Sequence, residues 1–263
     1  QPKNGRAVAE ERSQLRRETI GKCSHGEGGG LRSSAKFAIN NLGSSGYARR
    51  MKSTLFLSLI LCASVFAAPS QKAVRERVGG ELPSLLKLYQ HLHANPEISF
   101  QEKETAKTLA AELEKIGFKV STGIGGHGVV GVLKNGEGPT VLVRTDLDAL
   151  PVKEATGLAF ASKRTTTDDL GKTVPTMHAC GHDVHMACWT GTARVLAHFK
   201  KEWSGTLVFI GQPAEERGAG AKAMLEDGLF KKFPVPDYCL ALHVSNDQPV
   251  GTLGFTSGFA LAN

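Results

Sequence analysis

Nine consecutive residues, Met177-His178-Ala179-Cys180-Gly181-His182-Asp183-Val184-His185, hold a thiol, three imidazoles and a carboxylate. That is the composition of a metal site. In an extended loop alternate side chains share a face, so Cys180 and His182 approach one ion while Gly181 removes steric bulk between them. The competing reading is a surface loop that happens to be rich in His.

Further donors weigh against that reading, because three apolar runs each lead into polar residues. Val141-Leu142-Val143 leads to Asp146 and Asp148, Leu207-Val208-Phe209-Ile210 to Glu215-Glu216, and Leu240-Ala241-Leu242 to His243. If the runs are strands of an open α/β sheet, their carboxyl ends border the crevice where ligands collect. Cys, His and Glu donors together suit zinc or another borderline first-row ion, whereas Mg and Ca want shells of oxygen. Neighbouring glutamates after Pro213 diverge, so one can hold a metal while the other faces a substrate water and moves its proton. Standing alone, Glu215-Glu216 would be a solvated acidic turn. Gln212-Pro213-Ala214 before the pair, and Gly218 and Gly220 after it, favour a built site.

The elements that must position these groups follow from periodicity. Leu85, Leu86, Leu88, Tyr89 and Leu92 have helical spacing, with Pro83 suited to the first turn and Asn95-Pro96 as the stop. A second helix is predicted over Gln101–Ile116, with Thr105, Leu109, Leu113 and Ile116 inward and Gly117 as its end. Strands are predicted at Phe118–Ser121, Gly128–Leu133, Thr140–Arg144, Thr206–Gly211 and Tyr238–Val244, with helices over Val184–Lys200 and Ala219–Asp227. Alternating strands and helices predict an α/β fold: a mixed, mostly parallel sheet with helices on both faces.

Charge narrows the partners. Of the net +7, residues 1–50 supply ten Lys/Arg against four Glu and Lys52 adds one, while the rest balances 21 basic against 21 acidic residues. The globular part therefore has no basic excess for nucleic acid or an anionic membrane. Residues 1–50 hold no Met and no apolar period, and are expected to be disordered and foreign to the native protein. Met51-Lys52, the apolar run Leu55–Phe66 and the small residues after it form a secretory leader over 51–67, too short to span a bilayer comfortably. The expectation is a secreted or periplasmic domain over 68–263. The five cysteines show no disulfide spacing, and Cys188 and Cys239, in apolar segments, are expected in the core.

Five segments, Leu92-His93-Ala94-Asn95-Pro96-Glu97, Asp146-Leu147-Asp148-Ala149-Leu150-Pro151, Met177–Asp183, Gln212-Pro213-Ala214-Glu215-Glu216 and Leu242-His243-Val244, resemble a known family in order and spacing. It is the amidohydrolase branch of the dinuclear-metal aminoacylase and carboxypeptidase family, which includes hippurate hydrolases, N-acyl-amino-acid amidohydrolases and auxin-conjugate hydrolases. The resemblance implies metal ligands at Cys180, His182, Glu216 and His243 and a general base at Glu215. It places Asp148 and Asp146 behind the ligands, Asp146 standing where peptide-cleaving relatives begin a His-x-Asp motif. It implies two divalent ions, zinc first with manganese or cobalt as alternatives, and a metal-bound hydroxide that cleaves the amide of a small N-acyl amino acid. A dipeptidase or carboxypeptidase of the same family, and a metal-binding module without turnover, are the alternatives. Relatives continue into a lid and dimerisation domain and then supply one more His ligand. The expectation is therefore that this chain lacks that ligand and the lid, is a poor catalyst alone, and dimerises only as the longer protein.

Overall fold

The computed structural model describes residues 68–254. The expectations for residues 1–50 and for a leader over 51–67 lie outside the described residues. Two helices come first, α1 (Gln71–Ala94) and α2 (Lys103–Lys115), followed by β1 (Lys119–Ile124), β2 (Gly128–Asn135) and β3 (Thr140–Asp146). A short hairpin, β4 (Thr165–Thr167) and β5 (Thr173–Pro175), precedes α3 (His182–His198). Then come β6 (Gly205–Gln212), α4 (Gly220–Glu226), α5 (Leu229–Lys232) and β7 (Tyr238–Ala241).

The main sheet has the order β1-β2-β6-β3-β7. β1 and β2 pair antiparallel, as do β2 and β6, whereas β3 pairs parallel with both β6 and β7. The sheet is mixed as predicted, with parallel pairing confined to β6, β3 and β7. That confinement matters, because it brings the carboxyl ends of these three strands to one edge.

Helices cover both faces. On one, Leu109 and Leu113 of α2, Leu92 of α1 and Met186 and Trp189 of α3 close over Val129, Leu133, Leu207 and Phe209. On the other, Met224 of α4 and Leu229 of α5 pack on Val130, Leu142, Val208 and Ile210. β2 and β6 therefore alternate between two apolar cores, so their sequences are continuously apolar rather than alternating. Each large side chain removed from water in this way contributes about 1.5–3 kcal/mol. The α2 face reads Thr105, Ala106, Leu109, Ala110 and Leu113, the stripe of an amphipathic helix.

Two expectations are corrected. Ser70 caps α1, its hydroxyl accepting from the Ala73 amide at 3.2 Å, so Pro83 lies inside the helix and not in its first turn. Proline withholds one helical N–H and crowds the carbonyl four residues back. Here Arg194 of α3 bonds Glu81 and Ser84, on either side of Pro83, at 2.9 and 2.7 Å, and holds the helix across it. Cys188 and Cys239 are exposed rather than in the core. Cys188 falls on the outer stripe of α3, and all of β7 is exposed at the edge of the sheet.

Candidate metal centre

The Cys180–His182 segment is not extended. Gly181 has φ 81° and caps α3, so His182 is the first residue of that helix. A Cβ at Gly181 would meet Val244 Cγ2 at 2.5 Å, in a backbone region that side chains rarely adopt. Glycine here serves the turn and the approach of the segment after β7, which carries His243. Cys180 Sγ and His243 Nε2 lie 3.5 Å apart.

His182 is the hub. Its Nδ1 is 2.7 Å from the Asp148 carbonyl oxygen, so that nitrogen donates. Its Nε2 is buried without a hydrogen-bond partner among the described residues and faces Glu216 Oε1 at 3.7 Å, Glu215 Oε2 at 3.8 Å and Asp146 Oδ2 at 3.6 Å. Three sets of groups spaced to hold a cation share this imidazole: Cys180-His182-His243, His182-Glu215-Glu216 and Asp146-His182-His185. Every residue singled out in the sequence, Asp146, Asp148, Cys180, His182, Glu215, Glu216 and His243, therefore converges at the edge formed by the ends of β3, β6 and β7.

Behind the hub stands a second layer of contacts. Asp148 Oδ2 accepts from Ser99 Oγ at 2.6 Å and from the Glu216 amide at 3.0 Å, joining the β3 end to the β6 end. Asp146 Oδ1 is 2.9 Å from His185 Nδ1, and His185 Nε2 accepts from the Val244 amide at 2.9 Å, which ties β3 through α3 to the His243 segment. His93 lies between two acids, Nδ1 at 2.6 Å from Asp183 and Nε2 at 2.9 Å from Glu154. Sequence reasoning gave no role to His185, His93, Glu154 or Ser99. Their partners are far away along the chain; the donor-rich composition marked the surroundings of His185 and a resemblance segment included His93, without a role for either.

The protonation of the cluster reflects an excess of acids. Burial and then the Glu216 charge push the Cys180 thiol up to about 12. Burial also raises Glu216. Asp146 resists its own burial, since its His185 bond and the nearby His182 and Arg144 hold it at about 2. Burial disfavours charge on His182, yet its bonds to Asp148 and the charge of Asp146 push it up to about 9. His178 is buried with neither ring nitrogen partnered, and burial pushes it down to about 4, so it is neutral. A thiol at about 12 is no nucleophile near neutrality. Bound cations would supply the missing positive charge and satisfy the two orphaned atoms, His182 Nε2 and Glu216 Oε1, so the donor set fits divalent metal.

An α/β sheet carrying thiolate, imidazole and carboxylate donors at the carboxyl ends of its parallel strands has the form of a metal-dependent hydrolase domain. Residues 142–258 match the model of peptidase family M20/M25/M40. It is 43% identical over 167 residues to a hippurate hydrolase of Campylobacter jejuni, covering 63% of this chain and 40% of the relative. It is 40% identical over 181 residues to an N-acetylcysteine deacetylase of Bacillus subtilis, covering 68% of this chain and 44% of the relative. The solved structure of the Bacillus subtilis YXEP protein, a dinuclear metal binding peptidase from the M20 family, superposes with a TM-score of 0.58 at 38% identity. That match covers 72% of this chain and 48% of the other. The chain spans less than half the length of the curated relatives it matches, between 37% and 46% for the first three.

Proposed function

We propose that this sequence belongs to a secreted or periplasmic metal-dependent amidohydrolase that cleaves the amide bond of N-acyl amino acids. One observation carries the reading: a fully buried imidazole nitrogen, His182 Nε2, has no hydrogen-bond partner among the described residues and faces three carboxylates within 4 Å. Cys180, His182, Glu216 and His243 would hold the ions, zinc first and manganese or cobalt as alternatives. When bound, such ions polarise the amide carbonyl and lower the pKa of water toward neutrality. The names of the hippurate hydrolase and the N-acetylcysteine deacetylase support the N-acyl amino acid as substrate class.

The protein's own groups divide the work. Glu216 carries the buried oxygen without a partner, which fits it to a ligand role. Glu215 shares the turn but has no such orphan, and its carboxylate would take the proton of the attacking water and return it to the leaving amine. Asp148 and the His185–Asp146 pair hold the donors in orientation. A cleft of about 430 Å³, lined by Tyr89, His93, His178, Cys180, His243 and Asn246 among others, opens beside the donors and offers room for a small substrate.

The test is an assay of the full-length gene product on hippurate, N-acetyl amino acids and dipeptides, before and after chelation and again after zinc is restored. Hydrolysis of the N-acyl substrates that disappears on chelation and returns with zinc is the expected result. Chelator-insensitive turnover, or turnover of dipeptides alone, overturns it. The export reading rests on Met51–Ala67; an exported product retaining Met51, or retention in the cytoplasm, sinks it.

A further inference from the structure

We infer that Glu102 is a positioning residue that fixes the backbone turn carrying Glu215 and Glu216. Among the described residues, two that are not glycine adopt a left-handed backbone, Phe100 at φ 65° and Ala214 at φ 47°. Both donate their amide N–H to one atom, Glu102 Oε1, at 2.9 and 2.7 Å. Ala214 lies 112 residues away in the chain and immediately precedes the acid pair. Residues with a Cβ persist in this region only where their surroundings over-determine it, and such strain collects at functional sites.

The rest of the turn is already held. Its incoming end is fixed by the sheet, where Gln212 is in register with Asp146. Its outgoing end is fixed by the Ala214 carbonyl, which accepts from the Ala219 and Gly220 amides at 3.2 Å each. Gly220 sits so close that a Cβ would lie 1.5 Å from the Pro213 oxygen. The Ala214 amide is the remaining group of this fully buried residue, and Glu102 supplies its acceptor. Without that acceptor the amide is buried and unpaired, and a peptide rotation that frees it re-aims both glutamates.

Glu102 also stands at the N-terminal end of α2. Its side chain is fully buried, and among the described residues no basic group bonds it and its second oxygen has no partner. A buried acid without a cation is costly. Burial accordingly pushes it up to about 7. The Phe100 corner also touches the far side of the turn, where the Arg217 guanidinium lies 5.9 Å from the Phe100 ring centre. One carboxylate thus ties the corner before α2 to the acid pair after β6.

This inference rests on the metal-binding reading, and two variants of the full-length protein separate the two. Glu102→Met keeps the buried volume and removes the acceptor; Glu102→Gln keeps the acceptor and removes the charge. Zn²⁺ affinity is measured by titration of the chelator-stripped proteins, exchange of the Ala214 amide by hydrogen–deuterium exchange, and kcat and KM on an N-acetyl amino acid. The Met variant should lose roughly 10–100-fold in Zn²⁺ affinity, exchange faster at Ala214, and fall in kcat more than KM rises. The Gln variant should match the wild type. A wild type that takes up no Zn²⁺ sinks the metal reading. A wild type that binds Zn²⁺ and a folded Met variant that binds it equally well sinks only the role of Glu102. Should the Met variant not fold, the Gln variant decides: loss of Zn²⁺ affinity there overturns the inference, and retained affinity with a protected Ala214 amide upholds it.

Discussion

His182 Nδ1 donates to the Asp148 carbonyl oxygen at 2.7 Å, while the Asp148 carboxylate reaches Ser99 and the Glu216 amide. One residue therefore orients a candidate ligand with its backbone and the backbone of another with its side chain. Such contacts set both the direction and the basicity of a ligating imidazole. Asp148→Ala leaves the carbonyl but frees the Glu216 amide and Ser99. We expect Zn²⁺ affinity of the full-length protein to fall roughly 10–100-fold, measured by competition with a chromophoric chelator. An unchanged affinity would show that Asp148 serves packing alone.

The two glutamates should separate by assay. If Glu215 moves the proton and Glu216 holds metal, Glu215→Gln lowers kcat by about 10²–10⁴-fold and leaves Zn²⁺ affinity at the wild-type value. Glu216→Gln should weaken Zn²⁺ binding as well, since it alters the buried oxygen beside His182 Nε2. Metal titrations and steady-state kinetics on both variants check the division, and equal metal loss in the two would collapse it.

Glu102 makes a distinct prediction about pH. Its carboxyl is raised from 4.5 to about 7 by burial, with the charge of Asp148 adding to the shift. An acid whose pKa is higher folded than unfolded holds its proton longer in the folded state. Its contribution to stability therefore falls as pH rises from about 4.5 to about 7, by about 3 kcal/mol. Denaturant melts of the metal-free protein and of Glu102→Gln should diverge by this amount across that window, the difference isolating Glu102 because His178, pushed down to about 4, raises stability between about 4 and 6.5 in both proteins. Asp146, held at about 2, acts in the opposite sense below pH 4 and is common to both proteins.

Much of this was legible along the chain because it is local. The α2 stripe and the apolar strands announce themselves through spacing, and the polar residues that close β3, β6 and β7 mark the edge where the donors meet. The nine-residue Cys/His run was visible, although its geometry was not: Gly181 is left-handed, the helix starts at His182, and Val244 from a distant segment comes so close to Gly181 that a Cβ there would meet it. Pro83 misled for a similar reason, since the Arg194 bonds that carry α1 past it come from another helix. Glu102, like His93, was hidden more deeply. Each bonds groups that are remote in sequence, 112 residues for Glu102 to Ala214 and 90 for His93 to Asp183, and nothing in a single sequence pairs them.

The core that supports the site can be weakened apart from it. Phe209 is fully buried midway along β6, with Phe118 at 5.2 Å and Trp189 at 5.3 Å between ring centres. It thus links β6 to α3, the two elements whose ends present Glu215, Glu216 and His182. Truncation to Ala removes the ring from a packed interior and should cost about 3–5 kcal/mol, read as a lower urea midpoint. The strand ends are also held by the Asp148–Glu216 and Asp146–His185 contacts, so the folded variant should bind Zn²⁺ as the wild type does. A Phe209→Ala protein of undiminished stability would mean that this ring does not anchor the core. A stable one with lost Zn²⁺ affinity would mean that the edge contacts do not hold the donors by themselves.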